Sequence, residues 1–416
     1  MGEWVGVSVK NFDFISRKNK FDDLLLLFSK EDLHTEEEVC DGEKYVKRYF
    51  STTILKAKQI LDATGHTLQE AKIDFERDKR EKIEYIEYLI EKGERTQTSL
   101  EEFQGQFTFE NWASAVKKYA RILANDTFNN QYEFENLKKE KEKQTTLTEK
   151  VVLDSLPFGD EFWGLNFEIV DYWNIFRVIL EAFDLSQSIC LDYTNLYEGG
   201  WCDEVPKDEE FEVEKTIVLT EGKFDSKTIA ESIKLLYPHL SKCYSFIDFS
   251  GYKMQGSTSF LTHYLKMFIA SGLKNRIIAI YDNDAAGRAE MLVFQDIRKP
   301  KNFKIKHLPN LSIAENYPTL GPNGREVMDI NGKACSIELF LGSDVLKNCD
   351  DFSPVQWKGY VEKVATYQGE IINKGEVQER FEIKLSKAKA EGIIWDEWNE
   401  MDKLLQMIFE AFNVDE

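Results

Sequence analysis

The 416-residue sequence predicts an α/β protein: a parallel βαβ sheet, preceded by a mostly α-helical N-terminal domain and followed by a helical C-terminal segment. Three observations predict it. After Pro206 and the acidic run Asp208-Glu209-Glu210, short β-branched runs alternate with helical stretches, the pattern of parallel strands joined by crossover helices. Before that point, apolar residues recur mostly at helical intervals. From Ser353 the chain reads as helical again and rich in Trp, ending in Trp395 to Phe412. The expected domains are 1–210, 211–345 and 346–416.

In order along the chain, Trp4 to Val9 is strand-like and Leu24 to Phe28 is apolar. From Lys44 to about Gly93 the pattern is read as helical, through Tyr45, Tyr49, Ile54, Ile60 and Leu61. Gly65 is a break there, and Thr67 caps a second helix running through Leu68, Ala71, Phe75, Ile83, Ile86 and Leu89. Phe109 to Leu123 fits a further helix, and the charged stretch Leu137 to Lys150 an exposed helix or connector. Phe162 to Phe183 reads as a core helix, so its aromatic stripe (Phe162, Trp163, Phe167, Tyr172, Trp173, Phe176) is core rather than a base-stacking platform. The central strands are expected at Ile217 to Thr220, Cys243 to Phe249, Arg276 to Tyr281 and Phe303 to Leu308. The helices between them are expected at Asp225 to Leu236, Ser257 to Ser271 and Ala285 to Asp296. A loop of turn residues, Tyr317 to Gly324, precedes Ser336-Ile337-Glu338, which opens a helix.

Composition narrows the function. No apolar run is long enough to span a bilayer, and the start Met1-Gly2-Glu3-Trp4-Val5 lacks the pattern of a signal peptide. The six Cys are scattered without zinc spacing, which suits free thiols in a reducing cytoplasm. The net charge of −21 argues against nucleic acid, but it is unevenly distributed. Glu214 to Asp344 holds 17 Lys and Arg against 14 Asp and Glu, so the least acidic part of the chain carries the motifs described next.

Those motifs are Ile217-Val218-Leu219-Thr220-Glu221-Gly222-Lys223-Phe224-Asp225 and Ile277-Ile278-Ala279-Ile280-Tyr281-Asp282-Asn283-Asp284-Ala285-Ala286-Gly287. In each, a short apolar strand runs directly into carboxylates and a glycine. Glu221, Asp248, Asp282 and Asp284 all stand at the carboxyl ends of expected strands, the rim where open α/β sheets bind ligands. Clustered acids need a positive partner, and a hard divalent cation with oxygen ligands is the obvious one. The chemistry indicated is metal-dependent work on phosphodiesters.

The Glu after the first strand and the Asp-x-Asp after a later one resemble the Toprim domain of primases, topoisomerases and nucleases of the overcoming-lysogenisation-defect (OLD) type. Met1-Gly2 with its strand, Ala63-Thr64-Gly65-His66-Thr67-Leu68, Tyr-Pro-Thr-Leu-Gly-Pro and Ser-Ile-Glu-Leu-Phe-Leu-Gly resemble the HEPN/Toprim-associated proteins, in which a HEPN-like helical domain precedes a Toprim domain. The resemblance implies a cytoplasmic, divalent-metal-dependent endonuclease of antiphage defence. DNA or RNA, including tRNA, would be its substrate. A defence partner such as an ATPase or sensor, and assembly into a homo-oligomer, are open. Active HEPN ribonucleases carry an Arg a few residues before a His. None of the five His here has one so placed, so the N-terminal domain is expected to be catalytically silent.

By the same resemblance, Asp282 and Asp284 hold Mg²⁺ or Mn²⁺, with two ions expected, and Glu221 is a further ligand or the general base. Asp225 can turn toward the same ion, its bland alternative being an acid favoured at a helix start. Asp248 either ligates metal or caps the Gly-Tyr-Lys loop, and Glu338 is a late acid of the site. Lys223, Lys253, Arg276, Arg288 and Arg325 are phosphate-binding candidates, with Lys374 added on the same ground. The rival readings are a primase or topoisomerase, disfavoured by the missing zinc ribbon and limited length, and a non-catalytic nucleic-acid or nucleotide sensor. A lysine ammonium occupying the acidic pocket, or a Glu221 many ångströms from the Asp282/Asp284 pair, would overturn the nuclease reading.

Overall fold

The computed structural model describes residues 2–40, 43–125, 136, 139–140, 145–154, 171–249, 251–252, 256–348 and 351–413. They form two compact units that divide between Val213 and Glu214.

The first unit is built on an antiparallel sheet of five strands: β1 (Trp4–Val9), β2 (Phe12–Lys18), β3 (Leu33–Cys40), β4 (Glu43–Thr53) and β5 (Ser188–Asp192), in the order β2-β1-β5-β4-β3. The longer helices that accompany it among the described residues are α1 (Ile54–Thr64), α2 (Leu68–Glu91), α3 (Gln97–Gln106), α4 (Phe109–Asn125), α5 (Leu147–Asp154) and α6 (Tyr172–Ile179). Gly65 ends α1 in the left-handed region, φ 107°, and the Thr67 hydroxyl accepts from the Glu70 N–H to start α2, as expected. One apolar cluster joins both layers, with Val7, Phe28, Phe50, Phe75, Trp112, Phe176 and Leu191 at its centre. Trp173 and Phe176 of the aromatic stripe are buried core, while Phe162, Trp163, Phe167 and, in the charged stretch, residues 137–138 and 141–144 lie outside the described residues.

This unit is mixed α/β, which corrects the expectation of a mostly helical domain. Residues 44–53 are a strand, not a helix. Tyr45 and Tyr49 are four apart, a spacing that places two side chains on one face of a helix and equally on one face of a strand. In the strand, β4 pairs with β3 along its length, with Glu36 facing Lys47 and Leu33 facing Phe50. The insertion of β5 between β1 and β4, with Leu191 opposite both Val7 and Phe50, closes the sheet.

The second unit carries a parallel sheet of β6 (Thr216–Thr220), β7 (Tyr244–Phe246), β8 (Ile277–Tyr281) and β10 (Phe303–His307), in the order β10-β8-β6-β7. Its connecting helices are α7 (Lys223–Leu236), α8 (Thr258–Ser271) and α9 (Ala285–Met291). Every residue of β8 is buried, as a strand covered on both faces requires. Between β8 and α9, Asn283–Asp284 (β9) pairs with Ala334–Cys335 (β13).

A second sheet, β12-β11-β16-β17, comprises Tyr317–Gly321 (β11), Gly324–Met328 (β12), Val355–Val361 (β16) and Thr366–Ile371 (β17). The expected turn-rich loop is therefore a hairpin tip, with only Pro322 and Asn323 outside strands. A small hairpin, Lys347–Asn348 (β14) with Asp351–Phe352 (β15), precedes β16, and Lys374–Glu391 (α10) and Asn399–Phe409 (α11) complete the unit. The segment read as a helical extension thus supplies four strands, β14 to β17, and clusters with the parallel sheet in one compact unit. No described helix is long and apolar enough to cross a membrane.

Candidate functional site

The chain leaves β6 on one side to form β7, then returns to the other side to form β8. The carboxyl ends of β6 and β8 therefore flank the topological switch point, where open α/β sheets form their binding crevice. Glu221 follows β6 and Asp282 follows β8. The Glu221 carboxylate accepts from the Asp282 N–H at 2.9 Å and from the Thr258 hydroxyl at 2.6 Å. Residues 61 apart in sequence thus meet at one rim.

Asp284 caps α9. One of its oxygens accepts from the Gly287 N–H at 2.7 Å, and the other from the Gln368 side-chain amide at 2.6 Å. The β9–β13 ladder draws in the segment that carries Glu338, which is fully buried. Glu338 accepts from the Ser336 hydroxyl at 2.6 Å and the Gln378 amide at 2.9 Å, and the Lys374 ammonium stands 3.2 Å from it. Asp225 lies in the first turn of α7.

These five acids feel one another. Burial pushes Glu221 up to about 7, with Asp284 and Asp225 adding to the rise against hydrogen bonds from Thr258 and Asp282. Burial and then Glu338 push Asp225 up to about 6, opposed by Lys374. Asp282 is held well above the ordinary carboxylate range by burial and by Glu221, Asp225, Asp284 and Glu338. Burial also raises Asp284, against its bonds from Gly287 and Gln368. For Lys374, burial pulls downward but Glu338, Asp282 and Asp225 prevail and raise it.

Gly287 is a steric requirement of the Asp-x-Asp turn. A Cβ there would lie 2.3 Å from the Asp282 carbonyl oxygen. Gly287→Ala is expected to cost about 1–3 kcal/mol through overpacking against backbone, read as a lower denaturation midpoint, and to displace Asp282.

The remaining sequence candidates divide. Asp248 is exposed and accepts from the Gly251 N–H at 2.8 Å, so it caps its loop. Lys223 is exposed at the first position of α7. Arg288 reaches the Gly332 carbonyl at 3.5 Å, and Arg325 pairs with Asp351 at 3.5 Å on β12. Arg276 precedes β8, packs over the Phe412 ring at 4.7 Å, and lies at the opposite end of the strand from Asp282, about 20 Å away at some 3.3 Å per residue. It does not share the acidic rim. Lys253 lies outside the described residues. Sequence reasoning missed Thr258, Gln368 and Gln378. Thr258 follows a Ser cap signal, whereas nothing in the sequence marks the two glutamines.

The family assignment rests on the N-terminal half. The description of the HEPN/Toprim N-terminal domain 1 family matches residues 1–217, more than half of the chain. The chain belongs to this HEPN/Toprim family. No curated protein and no solved structure matches it. Membership suggests a nuclease-like function in general terms, without fixing chemistry or substrate.

In this HEPN/Toprim chain the acids suit a hard cation in kind: all donors are carboxylate oxygens, and their mutual push on proton affinity is unneutralised negative charge. Asp282 receives no hydrogen bond from a described side chain, so its oxygens are open. As the side chains stand, no three acid, His or Cys groups among the described residues close into a cage. Glu221, Asp284 and Glu338 are each held by protein donors, and a bound ion would have to compete with those bonds.

Proposed function

We propose that this protein is a divalent-metal-dependent endonuclease that hydrolyses phosphodiester bonds of DNA or RNA, including tRNA, in antiphage defence, with its parallel sheet as a Toprim catalytic domain. The observation that carries the reading is the convergence of Glu221, Asp225, Asp282, Asp284 and Glu338 at the switch point, each of Glu221, Asp225, Asp282 and Asp284 raised by burial and acidic neighbours. Mg²⁺ or Mn²⁺, with two ions expected, would be held by these acids and would supply charge relief for the attacking and leaving oxygens.

The chain's own residues supply the rest. Asp282 offers free oxygens. Glu221, with proton affinity near neutrality, suits a general base that takes a proton from water. Asp284 is fixed by Gly287 and Gln368 and so keeps the turn in one geometry. Lys374 can place its ammonium against a phosphate oxygen, and exposed Lys223 and Arg288 can extend that contact along the strand.

The N-terminal unit supports a silent HEPN-like domain. Its buried Arg177 is engaged by Asp62 at 2.7 Å and by Glu181 at 2.5 Å, and His66 lies 3.5 Å from Asp171 rather than beside a free guanidinium. The reading also carries a cytoplasmic location and an ATPase or sensor partner, supported by the family resemblance alone.

One observation favours a second reading, a sensor that binds nucleic acid or nucleotide without cleaving. Lys374 already puts a positive charge among the acids. One ammonium against five carboxylates leaves the excess negative, which is why the enzyme is preferred. Purified protein incubated with plasmid, single-stranded DNA and total tRNA, in Mg²⁺, Mn²⁺ or EDTA, separates the two. Cleavage that needs the cation is expected, and binding without cleavage on every substrate would establish the sensor instead.

A further inference from the structure

Beside the acids, the β12-β11-β16-β17 sheet holds a half-open cavity of about 280 Å³. Its walls include Trp357 and Tyr367, with Met328, Lys333, Asn323 and Glu326 around them. Trp357 is left uncovered by its neighbours in register. Opposite it on β17 stands Gly369, where a Cβ would meet the indole at 3.1 Å. On β11 the adjacent residue is Gly321, where a Cβ would come within 3.5 Å of the indole. With glycine on both flanking strands, neither in-register neighbour places a side chain over the ring. Tyr367 is 57% exposed, its ring packed edge-on against Tyr360 at 5.2 Å, which leaves the rest of its surface to solvent.

The cavity is tied to the acidic rim through its own lining. Lys333 bridges through its backbone to Asp284. Tyr367 immediately precedes Gln368, whose amide holds the Asp284 carboxylate at 2.6 Å. The cavity and the acidic rim therefore share the Lys333 and Tyr367–Gln368 backbone, with the Tyr367 and Gln368 side chains projecting to opposite faces of β17.

We infer that this cavity is a subsite for one unpaired nucleobase of the bound strand, next to the phosphodiester held at the acids. The inference rests on the nuclease reading and adds a substrate class to it. Two aromatic rings present a flat apolar surface, and Lys333, Asn323 and Glu326 supply donors and an acceptor at its edge. That combination matches a heteroaromatic ring with a polar rim, whereas a lipid tail would leave the polar edge unmatched. The volume is at the small end of ligand pockets, sized for one ring system rather than a longer segment. A base in a duplex is stacked on both faces and paired at its edge, so only an unpaired or extruded one can enter. The preferred substrate is then single-stranded, looped or frayed nucleic acid.

The test uses the full chain with fluorescein-labelled DNA and RNA oligonucleotides, single-stranded or as matched blunt duplexes, read by anisotropy in EDTA. Trp357→Ala is expected to weaken single-strand binding about tenfold, the loss of one stacked base, with duplex binding little changed. Trp357→Phe should restore most of it. Tyr367→Ala, at an exposed position, should weaken single-strand binding without unfolding. Unchanged single-strand binding in both alanine variants, equal loss on duplex, or AMP binding as tightly as the oligonucleotide would overturn the subsite, as would a wild-type chain that binds no single strand. In Mn²⁺, cleavage by Trp357→Ala should show a raised KM with kcat retained. A wild type that binds single strands through Trp357 but cleaves nothing would remove the nuclease reading and leave the subsite standing. Cleavage with a Trp357-independent KM would do the reverse.

Discussion

Asp282→Asn is expected to abolish metal-dependent cleavage, by on the order of 10³-fold or more, while making the metal-free chain more stable. The two effects have one cause. Asp282 is surrounded by Glu221, Asp225, Asp284 and Glu338 and receives no hydrogen bond from a described side chain. Its carboxylate is thus the group most open to a cation and the one whose charge is least compensated. At pH 8 the folded chain must either ionise Asp282 against its neighbours or keep it protonated where the unfolded chain would release the proton. Both are unfavourable, and an amide of the same shape avoids both. A stabilisation of about 1–3 kcal/mol is expected, several degrees in Tm for a unit of this size. It should shrink toward pH 4, where the acid is neutral in the folded state and increasingly so in the unfolded state. Cleavage and thermal melts of one preparation check both. A variant that loses activity and stability together would show that Asp282 holds the fold rather than a cation.

The parallel sheet was legible because its signals are local. Buried strands such as Ile277–Tyr281 are continuous apolar runs, and α8 carries its own caps in Ser257 and Gly272, so β6, β8, α7 and α8 fall within a residue or two of expectation. The acids followed from the strands, since a residue at the end of a parallel strand must face the rim. What could not be read depends on pairing between distant segments. β5 enters the first sheet from beyond residue 187, and the short sequence Ser-Ile-Cys-Leu-Asp gives no sign of its neighbours. The helical reading of residues 44–53 failed on a spacing common to both periodicities. Gln368 and Gln378 come from the segment taken as a separate extension, and a glutamine has no sequence signature for holding a carboxylate. Arg276 shows the converse error: it lies near Asp282 in sequence, but an intervening strand carries it to the far end of the sheet.

The metal-free chain is expected to lose stability as pH rises from about 4 to 7, and a divalent cation should reverse the loss. Glu221 titrates near 4.5 when unfolded and about 7 when folded, and Asp225 near 3.8 and about 6. In that window the folded chain binds more protons than the unfolded one, so stability falls with pH. Below the unfolded values the contribution is fully present, and above about 7 it is gone. Because both side chains retain some solvent contact, screening reduces the effect, and a few kcal/mol for the pair is the appropriate scale. Many other carboxylates titrate over the same range, so the diagnostic quantity is the difference between the wild type and a Glu221→Gln/Asp225→Asn variant, whose stability should decline less over this interval. At pH 7.5, Mg²⁺ or Mn²⁺ at a hundredfold excess over its Kd should add about 2.7 kcal/mol to the wild type and much less to the variant. This thermal shift needs no substrate and no turnover. Should the cation stabilise both chains equally, it binds elsewhere, and Lys374 would be left as the natural counter-charge of these acids.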